Sequence, residues 1–274
     1  MVKKYLILCM VFGLLASSCH SEPKPIEAKK KSNINVSKFD TATKTIHVFV
    51  ALCDNKYQRI VPVPKAIGNG QDPDNNLYWG CANGIRNYFK NSKEWKLLKT
   101  QKLDKIRMER LVFKHVNKNC YLVADAYDGQ FIKKTTTDFL YSAAGQLKDT
   151  INIDKTTIGI NGNAKMVAYI GHDGLMDFQL NENFSNADGK QRDAIILACI
   201  SKKYFEPHLS QAKANPLLWT TGLMAPEAYT LHDALSSYIA GGTADQIRTK
   251  GAIAYTKFQK CSLKASKNLL VTGY

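Results

Sequence analysis

Two short, uninterrupted apolar runs constrain the fold of this chain more than any other feature. Residues 166–170 (MVAYI) and 194–198 (AIILA) each hold five apolar residues in a row. Runs of this length are typical of strands that are buried on both faces of a parallel sheet. Because helices must cover both faces of such a sheet, we expect an α/β fold with three layers.

The segments before these runs alternate between strand and helix patterns. Residues 46–52 are rich in β-branched and aromatic side chains and predict a first strand. Apolar residues at steps of three and four predict a helix over 78–89, and residues 95–98 follow as the next strand of a strand–helix–strand unit. Residues 107–124 predict an antiparallel hairpin around the polar turn 117–119.

The later segments continue the alternation. Residues 131–144 predict a helix and residues 217–222 a further buried strand. Pro226 and Glu227 suit the first turn of a helix that stops at Gly241 and Gly242. Thr243 and Gln246 form a capping-box pattern that opens a last helix. We therefore expect a mostly parallel sheet that is flanked by helices.

The first residues have the pattern of an export signal. Lys3 and Lys4 precede an apolar stretch over 5–16, which is too short to span a bilayer. Small residues then lead into Cys19, which resembles a bacterial lipoprotein signal with Cys19 as the lipidated first residue of the mature chain. An ordinary cleaved signal is the alternative. We expect a signal peptide over 1–18 and a protein that is exported to the cell envelope and anchored in the membrane.

The segment after Cys19 predicts a flexible tether over 19–41. It contains Pro23, Pro25 and the basic run 29–31, and its apolar content is too low to form a core. Residues 42–274 are enough for one domain with a good core. The sequence therefore predicts a single globular domain at the end of a tether.

The formal net charge of +15 indicates a basic surface. The charges are scattered, and no zinc finger, arginine-rich helix or aromatic RNA-binding motif accompanies them. A basic surface that lies near anionic lipid or polysaccharide accounts for this pattern. We therefore expect no nucleic-acid partner.

Cysteine usage predicts one unpaired thiol. Beyond the predicted tether the chain has five cysteines: Cys53, Cys81, Cys120, Cys199 and Cys261. Disulfides form in exported proteins, but an odd number leaves at least one thiol free. Cys53 and Cys81 lie near one predicted sheet edge and are candidates for a pair, and Cys199 is the candidate for the free thiol. No zinc-binding spacing occurs, so we expect neither a metal nor a cofactor.

Two chemically reactive side chains follow the two apolar runs. Gly171 and then His172 follow the first predicted strand, and Cys199 comes directly after the second. In open α/β sheets, chemistry takes place at the carboxyl ends of the strands. An imidazole and a thiol at such ends are a candidate general base and nucleophile. Asp173 and Asp177 are either residues that orient this imidazole or solvated loop residues.

The order of these motifs resembles the caspase-like cysteine peptidases, which include gingipains, separases and bacterial CHAT proteins. The shared order is a strand with His-x-Gly, a strand with Ala-Cys, and then a further strand and helix. The resemblance covers roughly residues 44–258 and implies a caspase-like fold for the domain. In this chain Asp173 separates His172 from Gly174, and this insertion favours a non-catalytic relative.

The resemblance implies a hydrolase mechanism. Cys199 would attack a carbonyl carbon and form an acyl-enzyme, and His172 would protonate the leaving amine or activate water. The N–H of Gly174 or of Cys199 would donate to the oxyanion.

The resemblance also implies residues that bind a peptide or protein substrate. Three residues of the strand that follows Cys199 would line the substrate cleft: Trp219, Thr220 and Thr221. Asp54 ends the first strand and would meet a basic substrate side chain.

Two other functions remain open. A catalytically inactive caspase-like lipoprotein that binds a partner would have a buried Cys199. An unrelated α/β lipoprotein that binds a solute or a glycan would have a cleft lined by Trp79 and Trp219, away from His172.

Overall fold

The structure is a computed structural model that describes residues 39–274. The predicted signal peptide, Cys19 and the predicted tether up to residue 38 lie outside the described residues. Within residues 39–274, none of the helices combines the length and the apolar character that a membrane span requires.

The described residues form one large sheet and one small hairpin. The strands, in chain order, are β1 (Lys44–Ala51), β2 (Trp95–Lys102), β3 (Arg107–His115), β4 (Cys120–Tyr127), β5 (Lys148–Ile153), β6 (Thr156–Asn161), β7 (Met166–Gly171), β8 (Asp193–Leu197), β9 (Asn215–Thr220) and β10 (Leu270–Val271). The large sheet has the order β10-β9-β8-β7-β1-β4-β3-β2, and β5 pairs with β6. Its five central strands are parallel, whereas β10, β3 and β2 pair in antiparallel fashion at the two sides.

Helices cover both faces of this sheet. They are α1 (Lys65–Gly68), α2 (Ile85–Lys90), α3 (Ile132–Ala143), α4 (Ser201–Ala212), α5 (Ala228–Ile239), α6 (Ala244–Gln259) and α7 (Leu263–Leu269), with short 3₁₀ turns at Gly129–Phe131 and Gly174–Met176. The helices α2, α5 and α6 cover one face, where they bury Phe89, Leu231 and Ile247, respectively. Phe139 and Phe205 place α3 and α4 on the other. The predicted three-layer, mostly parallel α/β fold is therefore confirmed.

The central strands are apolar throughout because both of their faces are buried. In β1, Val48 and Val50 pack into the core on one face of the sheet, while Phe49 and Ala51 pack into the core on the other. The apolar run of β7 is divided between the same two cores. A strand with two buried faces loses the polar alternation of a half-exposed strand, which explains why these runs were recognisable.

The predicted helix over 78–89 is wrong in its first half. Only Ile85–Lys90 is helical. The carbonyl of Asn76 accepts the N–H groups of Trp79, Gly80 and Cys81, so this stretch forms tight turns instead. The apolar side chains Tyr78 and Trp79 are nevertheless buried, which is why the stretch has an apolar pattern.

The predicted second strand does not lie beside the first. β2 pairs with β3, and the β3–β4 hairpin separates it from β1. Its sequence (WKLLKTQK) is only partly buried, as suits a strand at the side of a sheet. The hairpin β5–β6 and the elements α4, α7 and β10 were not predicted.

A buried polar cluster joins the hairpin β5–β6 to the sheet. The imidazole Nδ1 of His47 accepts the N–H of Asn161 at 3.0 Å, and its Nε2–H donates to Asp125 at 3.1 Å. Arg110 donates two hydrogen bonds of 2.6 Å to Asp125. Burial lowers the pKa of His47. Burial also opposes ionisation of Asp125, but the hydrogen bonds from Arg110 and His47 outweigh it and hold the pKa of Asp125 well below its usual range.

Candidate active site at the carboxyl edge of the sheet

The carboxyl ends of β7 and β8 bring His172 and Cys199 to neighbouring positions. The register pairs Ile170 of β7 with Leu197 of β8. Two residues further along each chain stand His172 and Cys199, which therefore leave the sheet at the same level. We call this edge, where the five parallel strands end, the carboxyl edge. The prediction that each residue follows a strand end agrees with the structure, which adds that the two strands are neighbours.

Gly171 fixes the point at which the chain leaves β7. It has a φ of +130°, and a Cβ at this position would lie 2.1 Å from the carbonyl oxygen of Ala51. A glycine is therefore required here. The turn lets the N–H of His172 donate to the same carbonyl at 2.9 Å, so the backbone that carries the imidazole is attached to β1.

Asp177 holds the imidazole of His172. Nε2 of His172 lies 2.5 Å from Oδ2 of Asp177, and the carboxylate is almost completely buried. Because a carboxylate only accepts, the proton of the neutral ring is on Nε2 and the lone pair is on Nδ1. Among residues 39–274, none donates a hydrogen bond to Nδ1. The imidazole therefore offers one oriented basic nitrogen, and Asp177 rather than Asp173 is the residue that orients it.

Cys199 lies on a strained turn between β8 and α4. The next residue, Ile200, has a φ of +52°, a left-handed conformation that is rare for a β-branched residue. The N–H of Ile200 donates to the carbonyl of Gly222 at 2.9 Å, and the N–H of Ser201 donates to the hydroxyl of Thr220 at 3.1 Å. Such strand-to-helix turns present nucleophiles above a sheet. The thiol is partly exposed, in contrast to the buried thiol that a non-catalytic relative predicts.

The thiol of Cys199 is protonated in its resting state. Burial is the main cause that raises its pKa, and a negative charge on Asp173 raises the pKa further. The Sγ–H donates to the Met224 carbonyl at 3.7 Å, and no hydrogen bond joins Cys199 to His172 within the described residues. A base must therefore remove this proton during any reaction. Catalytic hydrogen bonds often tighten only in the complex with substrate.

Asp173 is a buried carboxyl group with one unsatisfied oxygen. Its side chain is 1% exposed, and Oδ1 accepts the N–H of Leu175 at 2.9 Å. Oδ2 has no hydrogen-bond partner among the described residues. Burial raises the pKa of Asp173 to about 7. The residue inserted between His172 and Gly174 is therefore a carboxyl group that keeps its proton up to about pH 7 and lies near the candidate nucleophile.

We expect Asp173→Asn to stabilise the protein increasingly as the pH rises. An unfolded aspartate ionises near pH 3.9, whereas folded Asp173 keeps its proton up to about pH 7. Its burial therefore costs stability progressively between about pH 4 and about pH 7. Relative to wild type, the free energy of unfolding of the variant should rise by about 2–4 kcal/mol across this window. Urea denaturation at about pH 4.5 and about pH 8 measures the free energies of unfolding of both proteins. A difference between variant and wild type that is the same at the two pH values would contradict the raised pKa of Asp173.

The oxyanion role of Gly174 stays a prediction. Close to this turn, the hydroxyl of Tyr169 donates to the carbonyl of His172 at 2.6 Å. The N–H of Cys199, the alternative donor, has no acceptor among the described residues.

Two of the three residues predicted to line a substrate cleft are buried. Trp219 is 0% exposed, and its indole N–H donates to the carbonyl of Gly273 at 3.0 Å. Thr220 is also 0% exposed, and its hydroxyl donates to the carbonyl of Ala198. The prediction is wrong for both, because β10 and α4 cover this strand. Thr220 instead supports the turn that carries Cys199, and only Thr221 is exposed.

Asp54 lies at the same edge but holds the loop that follows β1. Its Oδ1 accepts the N–H of Lys56 at 2.8 Å, and its carbonyl accepts those of Tyr57 and Gln58. The residue is 8% exposed. Asp54 therefore offers little exposed surface for the predicted contact with a basic substrate side chain.

All five cysteines of the described domain are free thiols. The pair suggested for Cys53 and Cys81 is therefore wrong. Cys53 is buried, and burial raises its pKa to about 12. The thiol of Cys81 donates to the carbonyl of Asn75 at 3.3 Å instead. Cys199 is free, as predicted.

The described residues contain no cluster of histidine, cysteine and carboxylate side chains that could hold a metal ion. Comparisons with protein-family models, with curated proteins and with solved structures find no match.

Proposed function

We propose that this protein is an exported, lipid-anchored cysteine hydrolase that cleaves peptides or proteins at the cell envelope. One observation carries the proposal: the imidazole of His172, oriented by Asp177, follows the end of β7, and the partly exposed Cys199 follows the end of the neighbouring strand β8. A nucleophile, a base and a residue that orients the base are the three parts that covalent hydrolysis needs.

The proposed reaction is acyl transfer in two steps. Sγ of Cys199 attacks the carbonyl carbon while its proton passes to Nδ1 of His172. The tetrahedral intermediate collapses to a thioester, and the leaving amine takes the proton from the imidazole. A water molecule then gives a proton to Nδ1 and attacks the thioester, which releases the acid and restores the thiol. The N–H of Cys199 is available for the oxyanion.

Apolar side chains at the rim of the site support an apolar substrate. The N–H of Arg59 donates to Oδ1 of Asp177 at 3.1 Å, which ties the loop after β1 to the candidate base. Its neighbours Ile60 and Val61 are 44% and 58% exposed. On the other side, the 71% exposed Leu223 precedes the Met224 carbonyl that accepts the thiol hydrogen. We propose that these side chains contact an apolar side chain next to the cleaved bond.

We expect Val61→Ser to raise KM for peptides with an apolar side chain by about 3–10-fold, because a lost apolar contact costs about 1 kcal/mol. Val116→Ser is the matched control, since Val116 is 50% exposed and follows β3 at the opposite edge of the sheet. It should leave KM unchanged. Equal KM values for Val61→Ser and wild type would remove the loop from the substrate site.

Hydrolysis of a peptide library by the soluble protein without Cys19 tests the proposed activity. Cleavage should be lost in Cys199→Ala and kept in Cys261→Ala, which removes another partly exposed free thiol. Cleavage that survives in Cys199→Ala, or no cleavage of any peptide or protein substrate, would overturn the proposal and favour a binding lipoprotein.

Partition of the full chain into the detergent phase of a phase-separating surfactant tests the proposed anchor. The wild-type chain, expressed in bacteria, should enter the detergent phase. Cys19→Ala should remain in the aqueous phase, because it has no thiol to carry the lipid. If both partition alike, the lipid anchor is wrong while the hydrolase proposal still stands.

A further inference from the structure

A second constellation of catalytic type lies away from the Cys199 site. Ser92 is in the turn between α2 and β2, and His232 and Asp233 are on α5. The Oγ of Ser92 is 2.8 Å from Nε2 of His232, and Nδ1 of His232 is 2.9 Å from Oδ1 of Asp233. β2 runs in the same direction as β1, so Ser92, which precedes it, lies at the amino edge of the sheet.

The hydrogen bonds give each group of this cluster a defined role. The Asp233 carboxylate only accepts, so Nδ1 of His232 carries the proton of the neutral ring and Nε2 accepts. The N–H of Glu94 donates to Oγ of Ser92 at 3.1 Å, and the serine hydrogen is left for Nε2. Nucleophile, base and orienting carboxylate follow one another as in serine hydrolases.

Packing keeps the imidazole in this orientation. The ring of His232 meets the rings of Tyr88 and Phe89 edge to face, each with centroids 5.4 Å apart. These contacts join α5 to α2, the helix that leads into Ser92. The base is therefore fixed by two aromatic contacts in addition to its hydrogen bonds.

Ser92 and His232 open into a cavity. It has a volume of about 380 Å³ and is lined by Ala82, Tyr88, Asn91, Ser92, Lys93, Glu94 and His232. This size accommodates a small organic ligand. The N–H of Lys93, directly after the serine, has no acceptor among the described residues. In serine hydrolases the N–H after the nucleophile donates to the oxyanion.

We propose that Ser92, His232 and Asp233 form a second hydrolytic site, which cleaves esters of short-chain carboxylic acids. Oγ of Ser92 attacks the ester carbonyl while its proton moves to Nε2 of His232. The alkoxide leaves with that proton, and an acyl-serine remains. Water then gives a proton to Nε2 and attacks the acyl group, which releases the carboxylic acid and restores Ser92. This site does not depend on Cys199.

The test uses Cys199→Ala as the background, so that the thiol cannot contribute. A fluorophosphonate probe should modify Ser92, as located by mass spectrometry of the peptides. The modification should disappear in Ser92→Ala. In the same background, hydrolysis of p-nitrophenyl acetate should fall at least about 100-fold in Ser92→Ala and in His232→Gln.

Ser237→Ala is the matched control, because Ser237 lies on the same helix and does not bond to a histidine. In the Cys199→Ala background, this variant should react with the fluorophosphonate probe and hydrolyse p-nitrophenyl acetate as the background protein does. Circular dichroism and thermal unfolding separate loss of the site from loss of the fold. Absence of probe on Ser92 in folded protein, or ester hydrolysis that persists in folded Ser92→Ala, would overturn this proposal without affecting the one for Cys199.

Discussion

Asp177→Asn is expected to lower peptide hydrolysis by about 100-fold or more, although asparagine has nearly the same shape. The Asp177 carboxylate accepts the Nε2–H of His172 and leaves Nδ1 free to take the thiol proton. The amide group of asparagine can donate to Nε2 instead, which would move the ring proton to Nδ1. Nδ1, the nitrogen that takes the thiol proton in the proposed reaction, would then be unable to act as a base.

This prediction is measured as kcat and kcat/KM with the best peptide of the library. Asp245→Asn is the control, because it removes an exposed carboxylate in the first turn of α6. The control should have wild-type kinetics. Wild-type turnover in Asp177→Asn would show that the hydrogen bond of Asp177 to His172 has no part in the reaction.

Asp125→Asn is expected to destabilise the fold by about 3–5 kcal/mol. Asp125 is 0% exposed and accepts hydrogen bonds from both Arg110 and His47. Without its negative charge, the guanidinium of Arg110 would remain buried and uncompensated. Urea denaturation at pH 7 measures the loss. Asp245→Asn, which breaks an exposed ion pair with Arg248, should cost less than about 1 kcal/mol.

The effect of Asp125→Asn should depend on pH with a defined sign. The folded-state pKa of Asp125 is lowered, so its contribution is complete above the unfolded value of about 3.9 and is lost as the pH falls below it. The difference between wild type and variant should therefore shrink below about pH 4. A difference that stays constant down to low pH, or one below 1 kcal/mol at pH 7, would contradict the account of this cluster.

The fold was predictable wherever the determining signal is local. The apolar runs of β7 and β8 follow from burial on both faces, and Thr243 and Gln246 cap α6 as their spacing predicts. The pairing of β2 with β3 was not predictable, because it depends on where the β3–β4 hairpin docks. The turns after Asn76 also follow from contacts that the helical spacing of the apolar residues conceals.

The site was predictable in position but only partly in detail. The rule that chemistry lies at strand ends placed His172 and Cys199 correctly at one edge. The direction of a side chain depends on what packs against it, and for that reason Trp219 and Thr220 proved to be buried. From the sequence, Asp177 was either a residue that orients the imidazole of His172 or a solvated loop residue, as was Asp173. Ser92 and His232 are 140 residues apart, and no sequence pattern links them.

The most direct test of the central claim is the rate at which iodoacetamide alkylates Cys199, followed by mass spectrometry in the soluble protein without Cys19. We expect Cys199 to react faster than the four other thiols, because the imidazole of His172 takes the thiol proton and thiolate is the reactive form. His172→Ala should therefore slow the reaction of Cys199 at least about tenfold. Control alkylation in urea should be equal in both proteins. A Cys199 that reacts no faster than Cys261, or equally fast without His172, would contradict a nucleophile activated by this imidazole.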